Sequence, residues 1–248
     1  MNIKIISLVG LLIMGGVTGW FLNGIQDTKE VPIETRTTRS SSDDECIGLC
    51  LHSPAIAALP EQALSDEENS GLVFMREEEK LARDVYNVLY DTWGVQIFSN
   101  IAQSEQTHTE AVRTILTKYN ITDPVTDDTI GVFVNRDLQK LYTDLTAQGT
   151  ISIEEAFTVG TLVEDLDIAD LQKQNAQTDN DDIKLVYENL MRGSRNHLRS
   201  FVSQLTSRGV AYEPKYITRS EFDAIIASTQ EIGSSKGNSG RGWGKNKQ

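Results

Sequence analysis

Between residues 65 and 207 four long stretches repeat their apolar residues at a helical period, and no proline interrupts any of them. Pro32, Pro54, Pro60, Pro124 and Pro214 all fall outside. A proline within a helix removes a hydrogen bond and clashes with the preceding turn, so this placement leaves room for four uninterrupted helices. Four amphipathic helices bury their stripes by packing on one another. The reading is an all-α fold, a four-helix bundle with a long crossover, residues 121–152, between its second and third helices. Within the crossover Leu138, Leu141, Tyr142 and Leu145 keep a helical rhythm that Gly149 closes, predicting a short extra helix.

The second stretch, NIAQSEQTHTEAVRTILTKY at 100–119, breaks its own rule. Ile101, Glu105, His108, Val112, Ile115 and Tyr119 share one face, following a short apolar turn at 95–98. A carboxylate and an imidazole inside an apolar stripe cost several kcal/mol unless something satisfies them, and a metal ion is one way to do so. The other helices repeat the anomaly. In the first, capped by Ser65 with Glu68 and stopped by Gly94, Glu78 and Glu79 fall on the two lines of the buried stripe, while Glu77 and Lys80 point toward solvent. The third, capped by Ser152 with Glu155, carries Glu164 on the inner face with Asp167 beside it. There Gly160 admits a close neighbour one turn earlier. The fourth, 182–207, places Ser194 and His197 among Ile183, Val186, Leu190, Phe201 and Leu205. Singly, each has an ordinary account: a Glu at a helix edge reaching water, or a His hydrogen-bonded in the core. Together they weigh more, because the protein has three histidines and two lie on inner faces.

The strings FMREEEKLARDVY, NIAQSEQTHTEAV, VGTLVEDLDIADL and VYENLMRGSRNHLRSF carry a resemblance over about residues 71–205. Glu79 with Ala82, Arg83 and Tyr86, and Glu105-x-x-His108, resemble the first- and second-helix signatures of rubrerythrin-related members of the ferritin-like superfamily. The whole is most similar to an uncharacterised ferritin-like family, family 2202 of the domains of unknown function. The resemblance implies a ferritin-like four-helix bundle with a carboxylate/histidine metal centre of one or two ions, iron first and manganese or zinc as alternatives, open to dioxygen or peroxide. It implies metal ligands Glu79, Glu105 as a bridge, His108, Glu164 and His197, with Tyr86 as a neighbouring donor or as plain packing. This chain departs from the pattern at Ser194, where a second bridging Glu is expected. Asp167 or Glu78 are the candidates to compensate. The activity implied is iron-dependent oxidation or peroxide reduction. Metal binding or storage without turnover, and a structural bundle with a polar core, are the alternatives.

Residues 1–25 hold Lys4 ahead of an uncharged apolar run, which reads as a signal peptide or a membrane anchor and places the domain outside the cytoplasm, anchored or secreted. Residues 26–64 read as an acidic linker containing Cys46 and Cys50, expected to pair as a small disulfide loop in an exported protein. Residues 65–208 form the bundle, and 209–248 a C-terminal extension with a last short helix near 219–228 and a basic tail. A formal net charge of -13 disfavours nucleic acid, whose phosphates need a basic face, and favours cations as partners. A homodimer is compatible with these features.

Overall fold

The computed structural model describes Ile56 and residues 59–232. The apolar segment 1–25, both cysteines, most of the linker and the basic tail lie outside the described residues. Six helices and no strand are present among the described residues, so the fold is all-α. Ser65 opens α1 (Asp66–Trp93) with a complete capping box: its side chain accepts from the Glu68 amide, and the Glu68 carboxylate reaches back to the Ser65 amide. Gly94, at φ 65, ends the helix in the left-handed region that only glycine enters cheaply.

The return is tighter than the sequence pattern predicts. Residues 96–98 are not a turn but the first turn of α2 (Gln96–Lys118). Phe98 is fully buried and stacks on Phe157 at 5.3 Å, and burying a ring of that size contributes roughly 2 kcal/mol. That gain holds the helix start where no side chain caps it. The crossover contains α3 (Arg136–Gly149), capped by Asn135. Then α4 (Ile153–Gln177), capped by Ser152, is followed after three residues by α5 (Asp181–Ser207), whose first turn holds Asp181 and Asp182 at the positive end of the helix dipole. A short α6 (Arg219–Ala227) closes the described chain. No helix of the described residues is long and apolar enough to cross a membrane.

The four long helices pack as α1 on α2, α4 on α5, α1 on α4 and α2 on α5. Apolar side chains gather in two clusters at different heights. One includes Leu72, Met75, Val112, Ile115, Leu171 and Leu190; the other includes Val85, Tyr86, Phe98, Phe157, Val163 and Phe201. On every long helix the stretch between the two clusters is the one that carries the acids and histidines. Gly160 has its reason here, since a Cβ at this position would meet the Phe201 ring at 2.7 Å.

The expectation that Glu77 and Lys80 face solvent is overturned. They are 3% and 0% exposed, because the crossover lies over the outer side of α1. Glu77 accepts from the amides of Val134 and Asn135, and Lys80 donates to the Thr129 carbonyl and to buried Asp84, which also accepts from the Gly131 amide. Arg83 bridges Asp84 and Asp128. An irregular segment brings unpaired backbone groups, and α1 supplies charged side chains to satisfy them. After Gly209 the chain folds back in the same manner: buried Asp165 accepts from the Tyr212 hydroxyl and from the amides of Lys215, Tyr216 and Ile217. Ile217, Phe222 and Ile225 then close over Ile168 and Leu198.

Candidate metal centre

Glu79, Glu105, His108, Glu164 and His197 come from four different helices, and the fold brings all five together. Three residues apart on α2, Glu105 and His108 sit on adjacent positions of one face, so both reach inward at the same height. Glu79 from α1 joins them on one side, and Glu164 from α4 with His197 from α5 on the other. Two sets result, Glu79/Glu105/His108 and Glu105/Glu164/His197, each with ligand atoms that all lie within 4.8 Å of one another. Glu105 belongs to both. Its Oε2 lies 2.7 Å from His108 Nδ1, and its Oε1 lies 2.8 Å from His197 Nδ1. Glu79 Oε2 is 3.3 Å from His108 Nδ1, and Glu164 Oε2 is 3.6 Å from His197 Nδ1. The two imidazoles face each other with centroids 5.6 Å apart.

Short distances here are not hydrogen bonds. Both oxygens of Glu79, Oε1 of Glu105, both ring nitrogens of His108 and Nδ1 of His197 are buried without a hydrogen-bond partner. Native interiors pair such atoms almost without exception, and several orphans converging on common points form a set that could hold a cation. The donor chemistry fits: carboxylate oxygens and imidazole nitrogens suit divalent first-row metals. These buried groups could hold a metal ion.

Electrostatics point the same way. Burial raises Glu79 to about 7, against the opposing pull of His108. Burial works against a charged imidazole at His197, yet Glu105 and Glu164 lift it to about 10, and Glu105 with Glu79 lifts His108 well above its ordinary value. Burial would likewise raise Glu105, but His108 and His197 overcome it and hold this carboxyl below the usual range. Glu164 is raised by burial. The carboxylates around them thus bias both imidazoles toward the charged form.

Around the two sets stand the remaining expected residues. Tyr86, fully buried, donates its hydroxyl to Glu164 Oε1. Ser194 donates to Asp167 Oδ2 at 2.5 Å, which leaves Asp167 Oδ1 unpartnered, and the carboxylates acting on Asp167 are Glu79, Glu164 and Glu105. Glu78 and Asp167 are buried beside the two sets but belong to neither. Cys46 and Cys50 lie outside the described residues.

Two contributors escaped the sequence pattern. A Cβ on Gly193 would lie 2.5 Å from both Cε1 and Nε2 of His108, so the bare backbone of α5 makes room for that ring. A glycine in a helix interior costs about 1 kcal/mol relative to alanine, and that cost is the signal that could have exposed it. Ser104, on the half-buried rim of α2, lies 3.0 Å from His197 Nε2 and orients it; nothing in its sequence position sets it apart.

Comparison with known proteins gives a family and adds no activity. The chain is similar to the uncharacterized protein MJ0754 of Methanocaldococcus jannaschii, with 56% identity over 178 residues, 72% of this chain and 96% of the relative. The crystal structure of hypothetical protein MJ0754 from the same source superposes with a TM-score of 0.69 at 56% identity, covering 70% of this chain and 99% of that one. Residues 68–229 match the uncharacterized protein domain DUF2202, a span that runs from the cap of α1 to the end of α6 and takes in every residue of the two candidate sets. The chain belongs to the DUF2202 family.

Proposed function

We propose that this chain is a ferritin-like, rubrerythrin-related four-helix bundle that binds one or two metal ions, iron first, through Glu79, Glu105, His108, Glu164 and His197. One observation carries the reading: two buried sets of carboxylates and imidazoles, contributed by four helices and most of them with an unpartnered atom, share Glu105. Glu105 offers one oxygen to each set and is the bridge. His108 and His197 are the neutral donors once their protons leave. The two sets contain three carboxylates, and two divalent ions need four negative charges. Asp167 supplies the fourth from beside the sets, held in orientation by Ser194, so that the serine at this position answers the missing acid by placing another. When bound, iron would supply Lewis acidity and redox chemistry toward dioxygen or peroxide. The protein groups then do the rest: Tyr86 holds a proton at Glu164, and the apolar clusters above and below keep bulk water out.

The segment 1–25 makes this an exported protein, tethered or secreted. Ser194 favours a second reading, metal binding or storage without turnover, because the fourth carboxylate stands outside the two sets. Metal analysis of the purified full chain tests the proposal, with Glu105→Ala and His108→Ala as controls. Iron present in stoichiometric amount and lost in both variants supports it; a wild-type protein that stays empty after exposure to excess Fe(II) without oxygen overturns it. Consumption of dioxygen or peroxide by the loaded protein separates an oxidase or peroxidase from a store.

A further inference from the structure

Glu78 is left over by the centre just described. It is 3% exposed, and neither carboxylate oxygen has a hydrogen-bond partner. An ionised carboxylate buried alone costs several kcal/mol, so a proton or a cation must answer it. On α4, Glu164, Asp167 and Asp170 follow at steps of three. Each therefore neighbours the last on the helix surface, about 4.5 Å further along its axis and turned about 60° around it. Glu164 belongs to the inner sets, Asp167 is buried with Oδ1 unpartnered, and Asp170 is partly exposed. Tyr86 on α1 donates to Glu164 on α4, and a Cβ on Gly71 would meet the Gln174 side chain, so the two helices run antiparallel and Glu78, about halfway between Gly71 and Tyr86, stands level with Asp167 and Asp170. Lys173 bears on Asp170, at the solvent end. The carboxylates thus form a file from the surface at Asp170, past Glu78 and Asp167, to the wall of the inner sets.

We propose that Glu78, Asp167 and Asp170 form an outer binding site for a hydrated divalent cation, through which cations pass from solvent to the buried centre. Among the described residues, only the two inner sets bring three ligand atoms within 4.8 Å of one another. A cation held at the outer site therefore keeps water in its shell, as oxygen-liganded Mg2+ and Mn2+ commonly do, and is held less tightly than an ion further in. Weak holding is what passage requires. Ser194 contributes by engaging one oxygen of Asp167 and leaving the other free.

The proposal rests on the centre only for the destination of the ion, so its test includes a variant in which the centre is disabled. In the full chain carrying Glu105→Ala and His108→Ala, one equivalent of Mn(II) should remain bound, read from the loss of the free-ion EPR signal, and should disappear when Glu78→Gln is added. In the otherwise wild-type chain, Glu78→Gln should slow entry of Co(II), followed by the visible bands of its imidazole complex, by about tenfold, because an acidic lining concentrates cations ahead of the site. Final occupancy of the inner sets should be unchanged. A folded double variant that binds no Mn(II), or a Glu78→Gln protein that fills at the wild-type rate, overturns the proposal and means that Glu78 keeps a proton instead. Should the double variant not fold, the entry rate alone decides. Failure of the outer site leaves a wild-type chain that still loads its centre, whereas failure of the proposed function leaves a wild-type chain whose imidazoles take up no metal.

Discussion

Gly193→Ala changes no proposed ligand, yet it should damage the centre. The added methyl would lie 2.5 Å from Cε1 and Nε2 of His108, whereas ordinary carbon contacts begin near 3.4 Å. Either the ring or the α5 backbone must therefore move by about 1 Å. Two effects oppose each other. Alanine is the better helix former by about 1 kcal/mol, while inserting a methyl into a packed interior costs roughly 1–3 kcal/mol. The clash wins here, because His108 is 0% exposed and bounded by Glu79 and Glu105, so its ring has nowhere to retreat. The expected net loss is about 1 kcal/mol in the metal-free protein, read by urea unfolding. Metal affinity should fall further, by about ten- to a hundredfold, since the supports of a ligand matter nearly as much as the ligand. A Gly193→Ala protein that is more stable by the full helix-propensity gain and binds metal within twofold of wild type would refute the reasoning.

Four other outcomes follow from the structure. With His197 raised to about 10 and His108 raised well above its ordinary value, a cation must displace at least two protons, so calorimetry in buffers of different ionisation enthalpy should show their release and an affinity that climbs as pH rises from 6 to 8. The metal-free fold should run the opposite way: a raised histidine stabilises fully below the unfolded value near 6.5, and that contribution is lost as pH climbs through about 10. Glu105→Ala should abolish binding at the two inner sets, while His197→Ala should weaken one set and leave Glu79, Glu105 and His108 able to retain an ion, a difference visible in the amount of metal held at the imidazoles. Glu231, paired with Arg195 and Arg199, is held down at about 2; Glu231→Gln should cost about 1 kcal/mol near neutral pH after allowance for its exposure, and the gap to wild type should close as pH falls from about 4.5 toward 2.

Periodicity and capping chemistry made the helices legible. Ser65 with Glu68 and Ser152 with Glu155 mark starts that the structure keeps, and Gly94 marks a stop. Glu105, His108, Glu164 and His197 were legible because each interrupts an apolar stripe, a conflict visible in one dimension, whereas the choice of Glu79 over Glu78 came from the resemblance. What stayed hidden depends on packing between segments distant in the chain. Glu77 and Lys80 have an outward helical phase, and only the fold reveals that the crossover covers them. The fit of Gly193 against His108 depends on two helices eighty-five positions apart meeting at one point, as 193 less 108 shows. Asp165 likewise gains its partners only because the chain after Gly209 returns to it.

The crossover over α1 bears on how this protein can be altered. Glu77, Lys80 and Asp84 each grip its backbone, at 134–135, 129 and 131 respectively, and Glu78 and Glu79 lie between these grips on the same helix. Sliding α1 by a single residue would displace every grip by about 1.5 Å along the axis and carry Glu79 out of line with Glu105. The segment therefore works as a jig that sets the depth of α1, so that shortening it or exchanging it for a flexible spacer would detune the centre from outside while leaving all five donors intact.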